Sequence, residues 1–202
     1  MKIFCIGRNY SEHARELKND IPEAPVIFMK PPTAILKGSD FYLPEFSSDM
    51  HYECELVYRI CKNGKHVAPQ FAHTYIDAVT VGIDFTARDV QAAQKKKGLP
   101  WEIAKAFDQS AVVGAFTPLT ALPDPANIHF SLLKNGERVQ NGQAKDMLFS
   151  VDHLIAYLST FFTLQQGDLL FTGTPSGVGP VAIGDALEGF LENISMFTIH
   201  IK

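Results

Sequence analysis

Two acids stand two residues apart in the stretch His51-Tyr52-Glu53-Cys54-Glu55-Leu56-Val57-Tyr58-Arg59-Ile60. Its even positions, Tyr52, Cys54, Leu56, Tyr58 and Ile60, are apolar. Such alternation is the period of a β-strand, in which residues two apart share a face at roughly 6–7 Å. Glu53 and Glu55 therefore point the same way. The pair either meets water on a solvated face, the commoner outcome on spacing alone, or supplies half an oxygen cage for a hard cation such as Mg²⁺ or Mn²⁺. A third acid, Asp84, closes the apolar run Val79-Thr80-Val81-Gly82-Ile83. At a strand end that meets a helix start, it suits either a ligand position or a cap on a helix beginning at Thr86.

If Thr86 onward is helical, Asp84, Arg88 and Gln91 fall at spacings of four and three and share an edge. That edge could face an anionic, oxygen-rich ligand beside a cation. It could equally carry a plain surface ion pair between Asp84 and Arg88. His13 and Glu16 are three apart and would share a helix face; spacing alone favours an ordinary exposed pair. Lys95-Lys96-Lys97 suits a solvated helix end, where cations complement the dipole. The loop Phe171-Thr172-Gly173-Thr174-Pro175-Ser176-Gly177-Val178-Gly179-Pro180 offers N–H groups and hydroxyls for an anion-holding nest, or is a tight turn. Its spacing is not that of a P-loop and no lysine follows the last glycine, which excludes nucleotide binding of that kind.

The elements that must position these groups are mostly strands. Apolar runs at Ile3–Ile6, Val26–Met29, Ala34–Leu36, Glu53–Ile60, Ala78–Phe85, Asn127–Leu133, Leu169–Thr172 and Met196–Ile201 read as strands. Asn63-Gly64 and Asn135-Gly136 read as hairpin turns. Helices are expected at Ser11–Lys18, Thr86–Lys97 and Val151–Phe162, the last with apolar residues at helical spacing and Ser150 as N-cap. The expected fold is one β-rich α+β domain over residues 1–202.

Bulk properties narrow the function classes. A chain of 202 residues supports one well-buried domain. A net charge of −4 without a basic stripe argues against nucleic-acid binding. No apolar run reaches membrane-span length, and the opening residues lack a signal-peptide pattern. Three cysteines without a Cys-x-x-Cys pair fit a reducing, cytoplasmic setting.

Taken in order, the segments resemble the fumarylacetoacetate hydrolase family. The matching pieces are Gly7-Arg8-Asn9-Tyr10-x-x-His13-x-x-Glu16, His51-Tyr52-Glu53-Cys54-Glu55-Leu56, Gly82-Ile83-Asp84-Phe85-Thr86-Ala87-Arg88-Asp89, Lys97-Gly98-Leu99-Pro100-Trp101, Lys105-x-Phe107-Asp108 and Thr172-Gly173-Thr174-Pro175-x-Gly177-Val178. They are most similar to the short branch of acylpyruvases and oxaloacetate decarboxylases. The resemblance implies a mixed β-roll, a homodimer, and Mg²⁺ or Mn²⁺ held by Glu53, Glu55 and Asp84. It implies a 2-oxo acid substrate, Lys105 beside a developing enolate, and Arg88, Gln91 and Thr174 binding the substrate. It casts His13 and Glu16 as a water-activating pair on a lid spanning residues 11–24. The implied reaction is hydrolysis of the C3–C4 bond of 2,4-dioxo acids, or decarboxylation of oxaloacetate. A hydratase or isomerase of 2-oxo acids, or a metal-binding protein without activity, are the alternatives. The chain departs from the family pattern after Asp108, where no Gly-Pro follows, and at Cys54, where aliphatic residues are usual.

Overall fold

The computed structural model describes residues 1–16 and 21–202, and only the backbone of 13–15. Its strands are β1 (Ile3–Gly7), β2 (Val26–Lys30), β3 (Asp40–Phe41), β4 (Met50–Tyr52), β5 (Cys54–Ile60), β6 (Ile76–Asp84), β7 (Thr86–Ala87) and β8 (Ala111–Val113). They continue with β9 (Thr117–Pro118), β10 (His129–Lys134), β11 (Glu137–Gln143), β12 (Leu169–Phe171), β13 (Gly179–Pro180), β14 (Ala186–Leu191) and β15 (Ile194–Ile201). The helices are α1 (Ser11–Glu16), α2 (Arg88–Lys97), α3 (Glu102–Lys105) and α4 (Val151–Phe161). The fold is β-rich α+β.

Seven strands form the main sheet in the order β2-β1-β12-β5-β6-β8, with β9 also paired to β6. Neighbours are antiparallel except β1 and β12. A second sheet runs β11-β10-β14-β15-β3, and a small third sheet runs β13-β4-β7. The even-numbered face of β5, with Leu56, Tyr58 and Ile60, packs in one apolar cluster with Phe130, Leu132, Leu187 and Leu191 of the second sheet. Leu154, Ile155 and Leu158 of α4 join the same cluster. The opposite face carries a smaller cluster of Ile3, Cys5, Val57, Leu169 and Phe171. The strand β5 lies between β12 and β6 and is covered on both faces, so Glu53 and Glu55 do not meet a solvated surface; both are buried.

Several expectations hold. Asn135 and Gly136 take positive φ of 54° and 83° and join β10 to β11 as a hairpin. Ser150 caps α4, accepting a hydrogen bond from His153 N. Others are corrected. The strand expected at Ala34–Leu36 reduces to one isolated bridge from Ile35 to Ala111, with Ala34 ending a 3₁₀ turn over Pro32–Ala34 that follows two prolines lacking the N–H groups a ladder needs. Asn63-Gly64 is no hairpin: Gly64 bridges to Leu164, and β5 returns to β6 through a 3₁₀ segment at Pro69–Tyr75. The helix expected from Thr86 begins at Arg88, because Thr86 and Ala87 pair with β4. Asp84 is therefore no helix cap. Residues 17–20, part of the expected first helix and lid, lie outside the described residues, as does the His13 side chain.

Candidate metal centre

The acids meet because two strands share a register. Glu55 stands directly opposite Gly82 on β6, and Asp84 follows two residues later on the same face. Gly82 is what lets the strands carry this face. A Cβ there would lie 2.5 Å from Val112 O and 2.7 Å from Val57 Cγ2. Ligand oxygens of Glu53, Glu55 and Asp84 all lie within 4.8 Å of one another, and all three residues are buried.

Three cationic side chains close around them. Lys105 Nζ, from α3, donates to Glu53 Oε2 at 2.7 Å and to Asp84 Oδ2 at 2.6 Å. Arg88 Nη2 donates to Glu53 Oε1 at 2.6 Å, while its Nη1 donates to Gln91 Oε1 at 2.8 Å. The alternative of a plain Asp84–Arg88 surface pair is thus set aside: Arg88 pairs with Glu53. Lys30 Nζ, buried at the end of β2, lies 2.7 Å from Asp84 Oδ1. Its hydrogen bonds go elsewhere, to Lys105 O, Ser110 O and Ser110 Oγ. Asp84 Oδ1 consequently has no hydrogen-bond partner although it is buried.

The electrostatics are those of a cation site. Burial pushes the Glu55 carboxyl well above the usual carboxylate range, and the facing Asp84 and Glu53 push it further. The Lys105 charge and a 2.7 Å hydrogen bond from Gly173 N offset this in part. Burial alone would lower the Lys105 ammonium; Asp84 and Glu53 outweigh it and raise the group above the ordinary lysine range. Clustered carboxylates away from water are costly unless neutralised. An all-oxygen donor set, in which Asp84 Oδ1 faces Lys30 Nζ without an aligned hydrogen bond, fits a hard divalent ion such as Mg²⁺ or Mn²⁺.

Of the other expected residues, Arg88, Gln91, Thr174 and Lys105 line the same pocket as the acids. The Thr174 hydroxyl is already committed: it donates to Cys54 O and accepts from Gln140 Nε2, both at 2.8 Å. Glu16 stands on the Thr174–Gly177 loop, accepting from Gly177 N at 3.2 Å. The sequence reading missed Lys30, Gln140, and the pocket-lining Arg8, Phe28, Lys95 and Trp101. A lysine that closes an apolar strand before Pro31-Pro32 was the available signal for Lys30. Gln140 falls in the arm Arg138–Gln140 of the expected Asn135-Gly136 hairpin, but nothing local marked its side chain for the site.

Comparison with known proteins agrees with this geometry. The family described as "Fumarylacetoacetate (FAA) hydrolase C-terminal" matches residues 2–202. A Bos taurus protein named "Oxaloacetate tautomerase FAHD1, mitochondrial" is 42% identical over 201 residues, covering 99% of this chain and 91% of its own. The Arabidopsis thaliana protein of that name is 41% identical over 202 residues, covering 100% and 91%. The crystal structure of fumarylpyruvate hydrolase from Pseudomonas aeruginosa in complex with Mn²⁺ and pyruvate superposes with a TM-score of 0.94 at 36% identity, covering 100% of this chain and 89% of that one. Because the family match runs over residues 2–202 and the relatives share about 40% identity across the whole chain, this chain belongs to the fumarylacetoacetate hydrolase family.

Proposed function

We propose that this protein is a divalent-metal-dependent enzyme that forms the enolate of a small 2-oxo acid, interconverting or decarboxylating oxaloacetate-like acids and hydrolysing the C3–C4 bond of 2,4-dioxo acids. The observation that carries this reading is the convergence of Glu53, Glu55 and Asp84 with Lys105 at the floor of one pocket. The three carboxylates would hold Mg²⁺ or Mn²⁺, which when bound supplies Lewis acidity toward the 2-keto oxygen. The relatives support it: one set is named for oxaloacetate tautomerisation, and a solved neighbour for fumarylpyruvate hydrolysis.

The chain's own groups divide the remaining work. Lys105 brings positive charge to the point where an enolate oxygen develops. Arg88, fixed by Glu53 and Gln91, presents its guanidinium to a substrate carboxylate as a preset fork. Thr174 shapes the wall, its hydroxyl being held by Cys54 and Gln140. Phe28 and Trp101 line the pocket and shield these charges from water, which strengthens them. His13 and Glu16 are proposed as the pair that takes a proton from water when a 4-keto carbon is attacked. His13→Ala should then impair hydrolysis and spare decarboxylation, which needs no activated water; equal loss of both would assign His13 another role.

Isomerisation is the second reading, favoured by likeness to the 5-carboxymethyl-2-hydroxymuconate delta-isomerase structure from Mycobacterium smegmatis, at TM-score 0.86 and 35% identity over 99% of this chain and 78% of that one. Incubation with Mn²⁺ and oxaloacetate or acetylpyruvate separates the two. Enol–keto exchange or pyruvate release supports the first; neither, with turnover of a 2-hydroxydienoate, supports the second.

The proposed setting is cytoplasmic and the proposed assembly a homodimer. No helix among the described residues is long and apolar enough to cross a membrane. Cys5, Cys54 and Cys61 are free thiols. Exposed Met29, Phe46 and Ile103 line one apolar cavity and suit burial against a second copy; sedimentation at micromolar concentration tests it.

A further inference from the structure

Five cationic side chains stand at or behind the pocket, and three of them are matched. Lys30 and Lys105 face Asp84, Lys105 and Arg88 face Glu53, and Arg88 also holds Gln91. The other two, Arg8 and Lys95, line the pocket and form no ion pair among the described residues. Arg8 follows the end of β1 with φ of 60°, a left-handed conformation that costs a bulky residue of order 1–3 kcal/mol and tends to persist at ligand sites. Its Nε is buried with no hydrogen-bond partner. Lys95, in the third turn of α2, rests its Nζ 5.4 Å from the centroid of the Trp101 ring. Its surroundings disfavour the charge: burial lowers its ammonium below the ordinary range, and Arg8 and Arg88 lower it further, with Glu53 offsetting this only in part.

Two partly buried cations beside each other without a carboxylate are unfavourable until an anion joins them. Of the acids on the pocket floor only Glu53 eases Lys95, and only in part, because it is itself engaged by Lys105 and Arg88. The geometry points to Arg8 and Lys95 as an anion subsite for the distal carboxylate of the substrate, so that this site selects dicarboxylic 2-oxo acids over monocarboxylic ones. The inference rests on the proposed 2-oxo acid reading and adds the substrate class. One end of the substrate is read at the acid cluster by Arg88 and Lys105. The other end, between the aromatic walls of Phe28 and Trp101, meets the guanidinium fork of Arg8 and the Lys95 ammonium.

The test compares substrates that differ only at the far end. With Mn²⁺-loaded protein, Arg8→Gln and Lys95→Gln should each lower kcat/KM for keto–enol interconversion of oxaloacetate, which retains the distal carboxylate, by roughly tenfold to a hundredfold, the worth of a hydrogen bond to a charged group. Acetylpyruvate, which ends in a methyl group, should lose less than about threefold by the same measure. Arg8→Lys should restore part of the preference. Equal losses on both substrates would overturn the subsite while leaving the enolate reading intact. Calorimetry supplies a readout without turnover: malate should bind the parent protein more tightly than lactate, and either variant should erase the difference. If the parent turns over neither 2-oxo acid, the functional reading fails and the calorimetric comparison alone decides the subsite; absent or equal binding of malate and lactate overturns it. Should Arg8→Gln fail to fold, Lys95→Gln, on the more exposed helix, carries the same comparison.

Discussion

Glu55 occupies the most demanding position of the three acids, with Asp84 and Glu53 facing it and only the Lys105 charge and one backbone N–H to answer its own. Glu55→Gln keeps its volume and an acceptor for Gly173 N while removing one of three facing negative charges. The metal-free variant should melt no lower than the parent, and its response to Mn²⁺ should vanish. A lowered metal-free melting point would mean that the charge is satisfied within the protein rather than reserved for a cation. The residue opposite is equally constrained. Gly82→Ala places a methyl group 2.5 Å from a carbonyl oxygen, and overpacking of this kind costs about 1–3 kcal/mol. Urea unfolding should show that loss, and Mn²⁺ affinity should fall with it because Glu55 is the cross-strand neighbour.

At the scale of elements, the site is built where β5, β6, α2 and α3 converge, and one side chain from the second sheet holds it in place. Gln140 of β11 accepts from Cys54 N at 2.9 Å and donates to Thr174 Oγ1 at 2.8 Å and to Pro175 O at 3.0 Å. Cys54 lies between the two proposed ligand glutamates, so this amide braces both. Gln140→Leu strands a buried N–H and two acceptors, each at about 1–3 kcal/mol. The variant should unfold at clearly lower urea and bind Mn²⁺ more weakly; unchanged metal affinity would show that β5 holds its own register. The Ser150 cap is a simpler case, and Ser150→Ala should cost about 1 kcal/mol of stability without touching metal affinity. These contrasts also explain what the sequence could and could not disclose. The period of two in residues 51–60 placed Glu53 and Glu55 on one face, and strand β6 carried Asp84 to its end. The third sheet was hidden, since β4, β7 and β13 have two or three residues each and no periodicity to read. That is why Thr86 passed for a helix start. Lys95 passed for a solvated residue among three lysines because its environment is set by Arg8 and Trp101, distant in sequence. Long-range pairing of single side chains leaves no local pattern.

Across the whole molecule, the proposed cation would tie two neighbouring strands of the main sheet to a short helix. Glu55 comes from β5 and Glu53 from the residue that links β4 to it, Asp84 from the end of β6, and Lys105 bridges Glu53 and Asp84 from α3, itself held to β2 through Lys30. An ion that binds this arrangement and not the unfolded chain must stabilise the fold in proportion to its occupancy. At a free ion concentration one hundred times Kd, the gain is about 2.7 kcal/mol. For a chain of this size, each kcal/mol moves the midpoint by roughly 2–4 °C, so melting should shift upward by about 5–10 °C with Mn²⁺ or Mg²⁺. Ca²⁺, which prefers longer bonds and more ligands, should shift it less. Protein concentration must be held fixed, because a dimer makes the midpoint concentration-dependent. Calorimetric scans of the parent and of Glu53→Ala check this directly. A shift in both proteins would place the ion elsewhere on the surface, and a shift in neither would leave three buried carboxylates balanced by Lys30, Lys105 and Arg88 alone.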